Sequence, residues 1–517
     1  RVSLLSLVLL CGAMPAAGQN AAPSKAQNSS LALASEAARL MQEGKADSAK
    51  EKLDEALKLN PASAEAYYLL GVISEQKGEF TAAIPAYREA VRPAPKMAEA
   101  HDRLGFALGQ SGNTGEAVQE FKTAVKLRPD YFDAQYHLGA TEWWINNTDA
   151  ALSALREAVR LNPRHAEARY YLALTQRRKG DLDGALENLR EVIRLSPDLV
   201  QAHTQLGLAL QDYGDLDEAI QQFRKASEID PSDKDAANSL GLALIQEGEA
   251  EKAVDTFRTL IKAHPEDLAA RHNLGSALLQ EGDLEGAIDV YRELTRQAPD
   301  SAEAFYNLGM ALKQEDDFAE AETELRKAIK IDPKLPEAHF TLGVVLWQTG
   351  RAAEASDCYR AALAVKPDYA EAHYMLGTIL KQQGKIEDAI SEFRQTIRYR
   401  PDSAEAYLSL GQSLRQVPDS TGAEGALAEA ERLNKRKADT QAATFALSNG
   451  VRRLEKNDLQ GAIEKFREAV RLAPDMVKAH LELARALEQA GDLEKAREQF
   501  SEARRLSPSL KSTRSKN

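Results

Sequence analysis

Apolar residues recur along most of this chain at three- and four-residue spacing, in short segments separated by polar turns. In Ala219–Ile229 the apolar positions 219, 220, 223, 226 and 229 fall on one face of a helix and the charged ones on the other. That spacing predicts amphipathic α-helices, and here they arrive in pairs. The pairs themselves are periodic. Proline stands at 61, 95, 129, 163, 197, 231, 265, 299, 333, 367 and 401, each 34 residues after the last, and again at 474 and 508. Aligned on these prolines, the chain holds fourteen repeats, beginning at 30, 64, 98, 132, 166, 200, 234, 268, 302, 336, 370, 404, 443 and 477.

In this register position 20 is Ala in all fourteen repeats and position 7 is Leu in twelve. Position 8 is Gly in eleven, among them Gly71, Gly241 and Gly411, and Ala in the other three, Ala37, Ala173 and Ala484. Position 24 is large and apolar throughout, as at Phe121, Phe223 and Phe393. Two helices approach closely only where their crossing lacks bulk, and positions 8 and 20 supply that gap. Gly near position 15, as in Gly78, Gly214 and Gly384, is expected to turn the chain between the helices. The Pro at position 32 stops the second helix. Asp300 with Glu303, Asp368 with Glu371 and Asp402 with Glu405 have capping-box spacing at the start of first helices.

The pattern resembles the tetratricopeptide repeat over roughly 480 of the 517 residues. The resemblance implies an all-α fold, a right-handed α-solenoid superhelix of about 14 helix-turn-helix repeats and hence about 28 helices. Departures from the register suggest boundaries. Residues 1–18 have the layout of a signal peptide, with Arg1 ahead of an apolar run and Ala16, Ala17 and Gly18 behind it. Residues 19–29 read as a flexible linker, 30–437 as repeats 1–12, 443–510 as repeats 13 and 14, and 511–517 as a tail. Lys435 replaces the expected Pro and five extra residues precede repeat 13, so 438–442 reads as an insertion and 435–442 as a hinge. Arg497 and Arg504 stand where repeat 13 has Ile463 and Val470, which suggests a polar capping face on the last helix.

A formal net charge of −13 argues against binding to nucleic acid. Cys11 and Cys358 make neither a disulfide framework nor a cysteine-based zinc site. No phosphate-binding, metalloprotease or nucleophile-elbow string occurs, so no enzymatic activity, cofactor or metal is expected. His101, His203, His339, His373 and His480 all occupy position 4, too far apart for shared metal ligation, and are read as packing histidines.

In the family this chain resembles, the first helices line a concave groove, with positions 2, 5, 9, 12 and 13 facing inward. Position 5 gives Tyr68, Tyr136, Tyr170, Tyr306, Phe340 and Tyr374 here, and position 13 gives Gln in eight repeats from Gln76 to Gln416. Such glutamines could bond the backbone of an extended peptide without reading its sequence. No repeat has the Lys at position 5 that the family's carboxylate clamp needs. Only Asn273 and Asn307 match the asparagine ladder of the O-linked N-acetylglucosaminyl transferase.

Two inward clusters are the candidate partner-binding residues. The first is Phe106, Gln110, Tyr136, Trp143, Trp144, Tyr170, Arg177 and Arg178; the second is Tyr306, Lys313, Phe340, Trp347, Tyr374 and Lys381. Both are rich in the aromatic and cationic residues that dominate binding hot spots. The expected function is a non-catalytic scaffold that binds peptide segments or partner proteins and is exported to the periplasm or cell surface. Membrane contact is expected at most through an uncleaved N-terminus. Two alternatives are an accessory subunit of an envelope export or polysaccharide-secretion machine, and a fragment of a repeat-regulated enzyme such as a glycosyltransferase.

Overall fold

The computed structural model describes residues 24–417 and 422–507. The expected signal peptide and the tail lie outside the described residues. Among those described there are 27 helices and no strand. They form two compact bodies, one ending at Gly282 and the other beginning at Asp283.

The first body starts with α1 (Lys25–Gln42), α2 (Ala46–Leu59), α3 (Ala64–Gln76), α4 (Phe80–Val91) and α5 (Ala98–Gln110). It continues with α6 (Thr114–Leu127), α7 (Phe132–Trp144), α8 (Thr148–Leu161), α9 (Ala166–Lys179) and α10 (Leu182–Leu195). It closes with α11 (Val200–Tyr213), α12 (Leu216–Ile229), α13 (Lys234–Glu247), α14 (Ala250–Ala263) and α15 (Leu268–Glu281). The second body holds α16 (Leu284–Gln297), α17 (Ala302–Gln314), α18 (Phe318–Ile331), α19 (Pro336–Gln348), α20 (Ala352–Val365) and α21 (Ala370–Gln382). After these come α22 (Ile386–Tyr399), α23 (Ala404–Leu414), α24 (Ala423–Glu455), α25 (Leu459–Leu472), α26 (Val477–Gln489) and α27 (Leu493–Leu506). Odd-numbered helices are first helices up to α23.

The crossing of each pair rests on position 8. A Cβ built on Gly71 would lie 2.5 Å from the Tyr87 ring, one on Gly207 2.5 Å from Phe223, and one on Gly309 2.7 Å from Leu325. Each partner is the position-24 side chain of the same repeat. The fourteen alanines at position 20 are all buried, from Ala49 to Ala496. Within each body successive first helices also touch directly, α5 with α7, α7 with α9, α11 with α13, α17 with α19 and α21 with α23. Their outward surface is therefore the closely packed side of the stack.

The turn at position 15 is left-handed. Glycine supplies the positive φ at Gly44, Gly78, Gly112, Gly180, Gly214, Gly248, Gly282, Gly350, Gly384 and Gly491, and Asn146, Asp316 and Asn457 supply it elsewhere. Replacing Gly214 by Ala is expected to cost about 1–2 kcal/mol, because a Cβ crowds the following carbonyl in this conformation. Gly214→Asn should cost only a fraction of that, since three repeats already use Asn or Asp there. Urea denaturation of the two variants checks the ranking.

Three local expectations are corrected. The capping acids Asp300 and Asp402 do not cap; the N-caps are the next residues, Ser301 and Ser403, whose side chains accept from Ala304 and Ala406 N–H. Asp368 likewise precedes the N-cap, Tyr369. The turn after each Pro carries the chain one residue further before the helix starts. Part of the expected linker is helical, since α1 begins at Lys25 behind a capping box formed by Ser24 and Gln27.

The expected hinge is also helix. Residues 435–442 are the middle of α24, a 33-residue helix that joins the second helix of repeat 12 to the first of repeat 13. That fusion accounts for 27 helices rather than 28. With Lys435 in place of Pro, nothing stops the helix, and Lys, Arg, Ala and Gln propagate it. No residue between Leu433 and Ala443 is buried. Arg436 ties this bare stretch to Asp475 at 2.5 Å. On α27, Arg497 and Arg504 are exposed, whereas Ile463 on α25 is buried and Val470 half-buried.

Candidate binding surface on the first helices

The position-4 side chains hold the repeats to their turns. His101, His203, His339, His373 and His480 each bond through Nε2 to the carbonyl of the Pro six residues earlier, at 2.9–3.2 Å. Where the residue is not His, Gln135, Arg169 and Arg271 donate to Pro129, Pro163 and Pro265 in the same way. Nδ1 of four of these histidines reaches position 23 of the second helix: Glu120, Gln222, Glu392 or Gln499. Burial alone would lower the His101 and His373 pKa, but their glutamates outweigh it and both are raised. These residues are packing histidines.

Repeats 2–4 hold a network of buried charged groups. Arg103 on α5 pairs with Glu75 on α3 at 2.8 Å, and both side chains are largely buried. The Tyr87 hydroxyl donates to the same Glu75 at 2.6 Å. Asp102 on α5 is fully buried and accepts from His137 Nδ1 on α7 at 2.8 Å. The His137 ring lies against Phe106 and Phe121, at 5.2 and 5.6 Å between centroids. Burial opposes its protonated form, yet the Asp102 carboxylate prevails and the pKa is raised. Glu142 on α7 is also fully buried, 2.9 Å from Lys122 Nζ and accepting from Asn147 at 2.8 Å.

None of these buried charged groups was a sequence candidate, though the register held a signal. Position 11 is Leu in ten repeats and Glu142 occupies it in repeat 4; position 5 is aromatic in six and Asp102 occupies it in repeat 3. Burying charge is costly unless it is paired, so these exceptions mark where the array is specialised.

The first cluster sits beside this network. Phe106 packs between Phe80 and His137, at 6.0 and 5.2 Å. Tyr136 donates to Glu167 at 3.0 Å, and Tyr170 stands edge-on to Tyr171 at 5.8 Å. The two tryptophans divide. Trp143 packs edge-on against Tyr171 at 5.3 Å, and its indole N–H is buried without an acceptor among the described residues. Trp144 is 77% exposed. Neighbouring helix residues point ~100° apart, which separates the two indoles. Removing the orphan donor with Trp143→Phe is expected to leave stability within about 1 kcal/mol of the parent, whereas Trp143→Ala loses the packing as well. Thermal melts of both variants decide it.

The two arginines divide as well. Arg177 Nε donates to Asp212 at 2.6 Å and Nη1 to Gln205 at 3.2 Å. Arg178 lies 4.9 Å over the Trp143 ring and donates from Nη1 to the Trp143 carbonyl and to Asn146. Gln110 is exposed, as are Gln76, Gln246, Gln280, Gln314, Gln348, Gln382 and Gln416. Gln246 accepts from Gln211 at 2.8 Å and Gln280 donates to the Ile245 carbonyl at 3.0 Å, so part of the glutamine ladder links neighbouring repeats.

In the second body the position-5 rings turn toward their own repeats. Phe340 meets Tyr359 at 5.6 Å and Tyr374 meets Phe393 at 5.9 Å, both at position 24. In the first body Tyr68 does the same with Tyr87 at 5.9 Å, is buried, and has its phenol pushed up to about 12. Tyr306 is half-buried and its hydroxyl lies 3.6 Å from Met310 Sδ. Trp347 and Lys313 are half-buried, and Lys381 donates to Gln412 at 2.8 Å. The Cys358 thiol is pushed up to about 11 by burial, which leaves it protonated and unreactive near neutrality.

This architecture defines an α-solenoid of helix-turn-helix repeats. Tetratricopeptide repeat models match residues 35–98, 145–200 and 447–510, residues 107–143, and residues 176–243. The chain is a tetratricopeptide repeat protein. The model of the cilia and flagella-associated protein 70 C-terminal domain also matches residues 231–447. No curated protein sequence matches the chain. Among solved structures, MamA is 32% identical over 31% of this chain and 94% of its own length, with a TM-score of 0.30. YrrB, described as a repeat protein with an unusual peptide-binding site, is 24% identical over 36% of this chain and 96% of its own, with a TM-score of 0.35. Yeast Tom70 is 16% identical over 79% of this chain and 96% of its own, with a TM-score of 0.36.

Proposed function

We propose that this chain is a non-catalytic interaction scaffold, and that it holds an extended segment of a partner protein along the first helices of repeats 3–5. The observation that carries this reading is Trp144, an indole 77% exposed on a first helix, beside the buried charges of repeats 2–4. An exposed tryptophan on a rigid helix offers large contact area at little entropic cost, which is what hot spots require. The exposed glutamines of neighbouring repeats supply donors and acceptors for a partner's backbone.

The signal-peptide layout of residues 1–18 supports export to the cell envelope. Among the described residues no helix is long and apolar enough to cross a membrane. Fusing residues 1–18 to a reporter active only outside the cytoplasm tests the export; a silent reporter rejects it.

The binding reading is tested by screening a library of short peptides against the full chain and against Trp144→Ala. Peptides selected on the parent should lose about ten-fold or more in affinity on the variant, with helix content unchanged by circular dichroism. Equal affinity for both proteins would place the site elsewhere.

A further inference from the structure

Four cations of repeats 3–5 are not equivalent. Lys122 is held by Glu142 at 2.9 Å, Arg177 by Asp212 at 2.6 Å, and Lys179 by Asp149. Each of those charges is met by a carboxylate. Arg178 is exposed and meets none among the described residues. Its Nη1 is saturated by the Trp143 carbonyl at 3.0 Å and the Asn146 Oδ1 at 2.9 Å. A guanidinium has five N–H donors, and these two bonds use both hydrogens of Nη1. The Nε–Nη2 edge is left without a partner, and that edge is the fork which matches a carboxylate bidentately. The Trp143 ring beneath it, 4.9 Å away, and the two bonds to the end of α7 fix the plane of the fork in advance. Asn146 owes its place to its positive φ of 66°, so the turn itself builds half of the anchor.

Also next to Trp143, 6.3 Å between ring centroids, stands the open indole of Trp144, followed by Ile145, which is 45% exposed. A charged fork and an apolar platform thus both adjoin the half-buried Trp143 ring. We propose that Arg178 is the carboxylate receptor of this surface, and that its occupant is an extended acidic segment of a partner protein. The segment sets an Asp or Glu on the Arg178 fork and an aromatic or aliphatic side chain on Trp144. An extended chain presents alternate side chains on one face, so one segment can bring a carboxylate to the fork and an apolar group to the indole. Arg177, its neighbour in sequence, is a strut between α9 and α11 and takes no part in recognition. This inference rests on the reading of repeats 3–5 as the docking face.

The test uses the full chain and three fluorescein-labelled, C-terminally amidated peptides with the cores Asp-Gly-Phe-Gly-Glu, Asn-Gly-Phe-Gly-Gln and Lys-Gly-Phe-Gly-Lys. Fluorescence anisotropy should show the acidic core binding about ten-fold or more tightly than the amide core, with the preference shrinking at high salt. Arg178→Gln should abolish the preference and Arg178→Lys should restore only part of it, because an ammonium has no fork. Trp144→Ala should weaken all cores alike. If the acidic and amide cores bind the parent equally, or if Arg178→Gln leaves the preference intact, the carboxylate receptor is wrong while the docking face stands. If no core binds, both readings fall.

Discussion

Replacing His137 by Leu is expected to destabilise the first body by about 3–5 kcal/mol, the usual cost of stranding one member of a buried ion pair. Asp102 has no exposed surface, and the His137 side chain retains only 17% of its own. The charges facing the imidazole are Asp102 and Arg103 from α5 and Asp133 from α7, with His165 ahead of α9. Removing the imidazole leaves the Asp102 carboxylate with the Tyr131 hydroxyl at 3.4 Å and no cation of its own, since Arg103 is committed to Glu75. The double variant Asp102→Leu/His137→Leu should recover much of the loss, because nothing charged is then left buried.

The pair also sets a sign for pH dependence. The His137 pKa is raised above its ordinary 6.5, so its contribution is fully present below that value and is lost as pH climbs through the folded value. His101 and His373, also raised, act in the same direction. His165, lowered by burial, acts in the opposite one. Urea melts at pH 6 and pH 8.5 should therefore show the parent losing more stability on alkalinisation than His137→Leu does. A flat difference between the two proteins would mean that folding leaves the His137 pKa where it is in the unfolded chain.

Gly241→Ala is expected to cost about 1–3 kcal/mol, the range for overpacking a tight core. The new Cβ would lie 2.3 Å from the end of the Phe257 ring, which is itself fully buried. The array holds its own remedy. Repeats 1 and 5 carry Ala37 and Ala173 at the same position, and there position 24 is Leu53 and Leu189 instead of Phe. Adding Phe257→Leu to Gly241→Ala should restore most of the lost stability, which denaturant unfolding of the three variants would measure. Gly109→Ala serves as the control. Its Cβ would stand 3.8 Å from Ala117 Cβ, an ordinary contact, and Ala favours the helix interior. That variant should be as stable as the parent or slightly more so.

The fold was legible because a solenoid is nearly one-dimensional: each repeat packs chiefly on its neighbours, so the tertiary contacts recur with the sequence. Gly at position 8 facing a large side chain at position 24, Ala at position 20, and the position-15 turn could all be read from the 34-residue beat. The failures were local. The Lys435 substitution looked like a break, but the loss of Pro removed a helix stop and left residues that propagate helix. The capping acids missed by one residue, because a turn of that length decides which side chain meets the first free N–H.

The candidate site divides along the same line. By itself the sequence determined that aromatic and cationic residues crowd the first helices of repeats 3–5, since position in a helix decides which face a residue shares. Only the tertiary structure decided which of them are open. Trp143 and Trp144 are neighbours in sequence, yet one is wedged against Tyr171 and the other is 77% exposed. Arg177 and Arg178 read alike, yet one is matched by Asp212, 35 residues away, and the other turns back onto α7. Asp102 and His137, also 35 residues apart, are each unremarkable alone and become a buried ion pair only when α5 and α7 stack. Side-chain identity fixes what a group can do; whether a partner one repeat away has already used it depends on how adjacent helices stack.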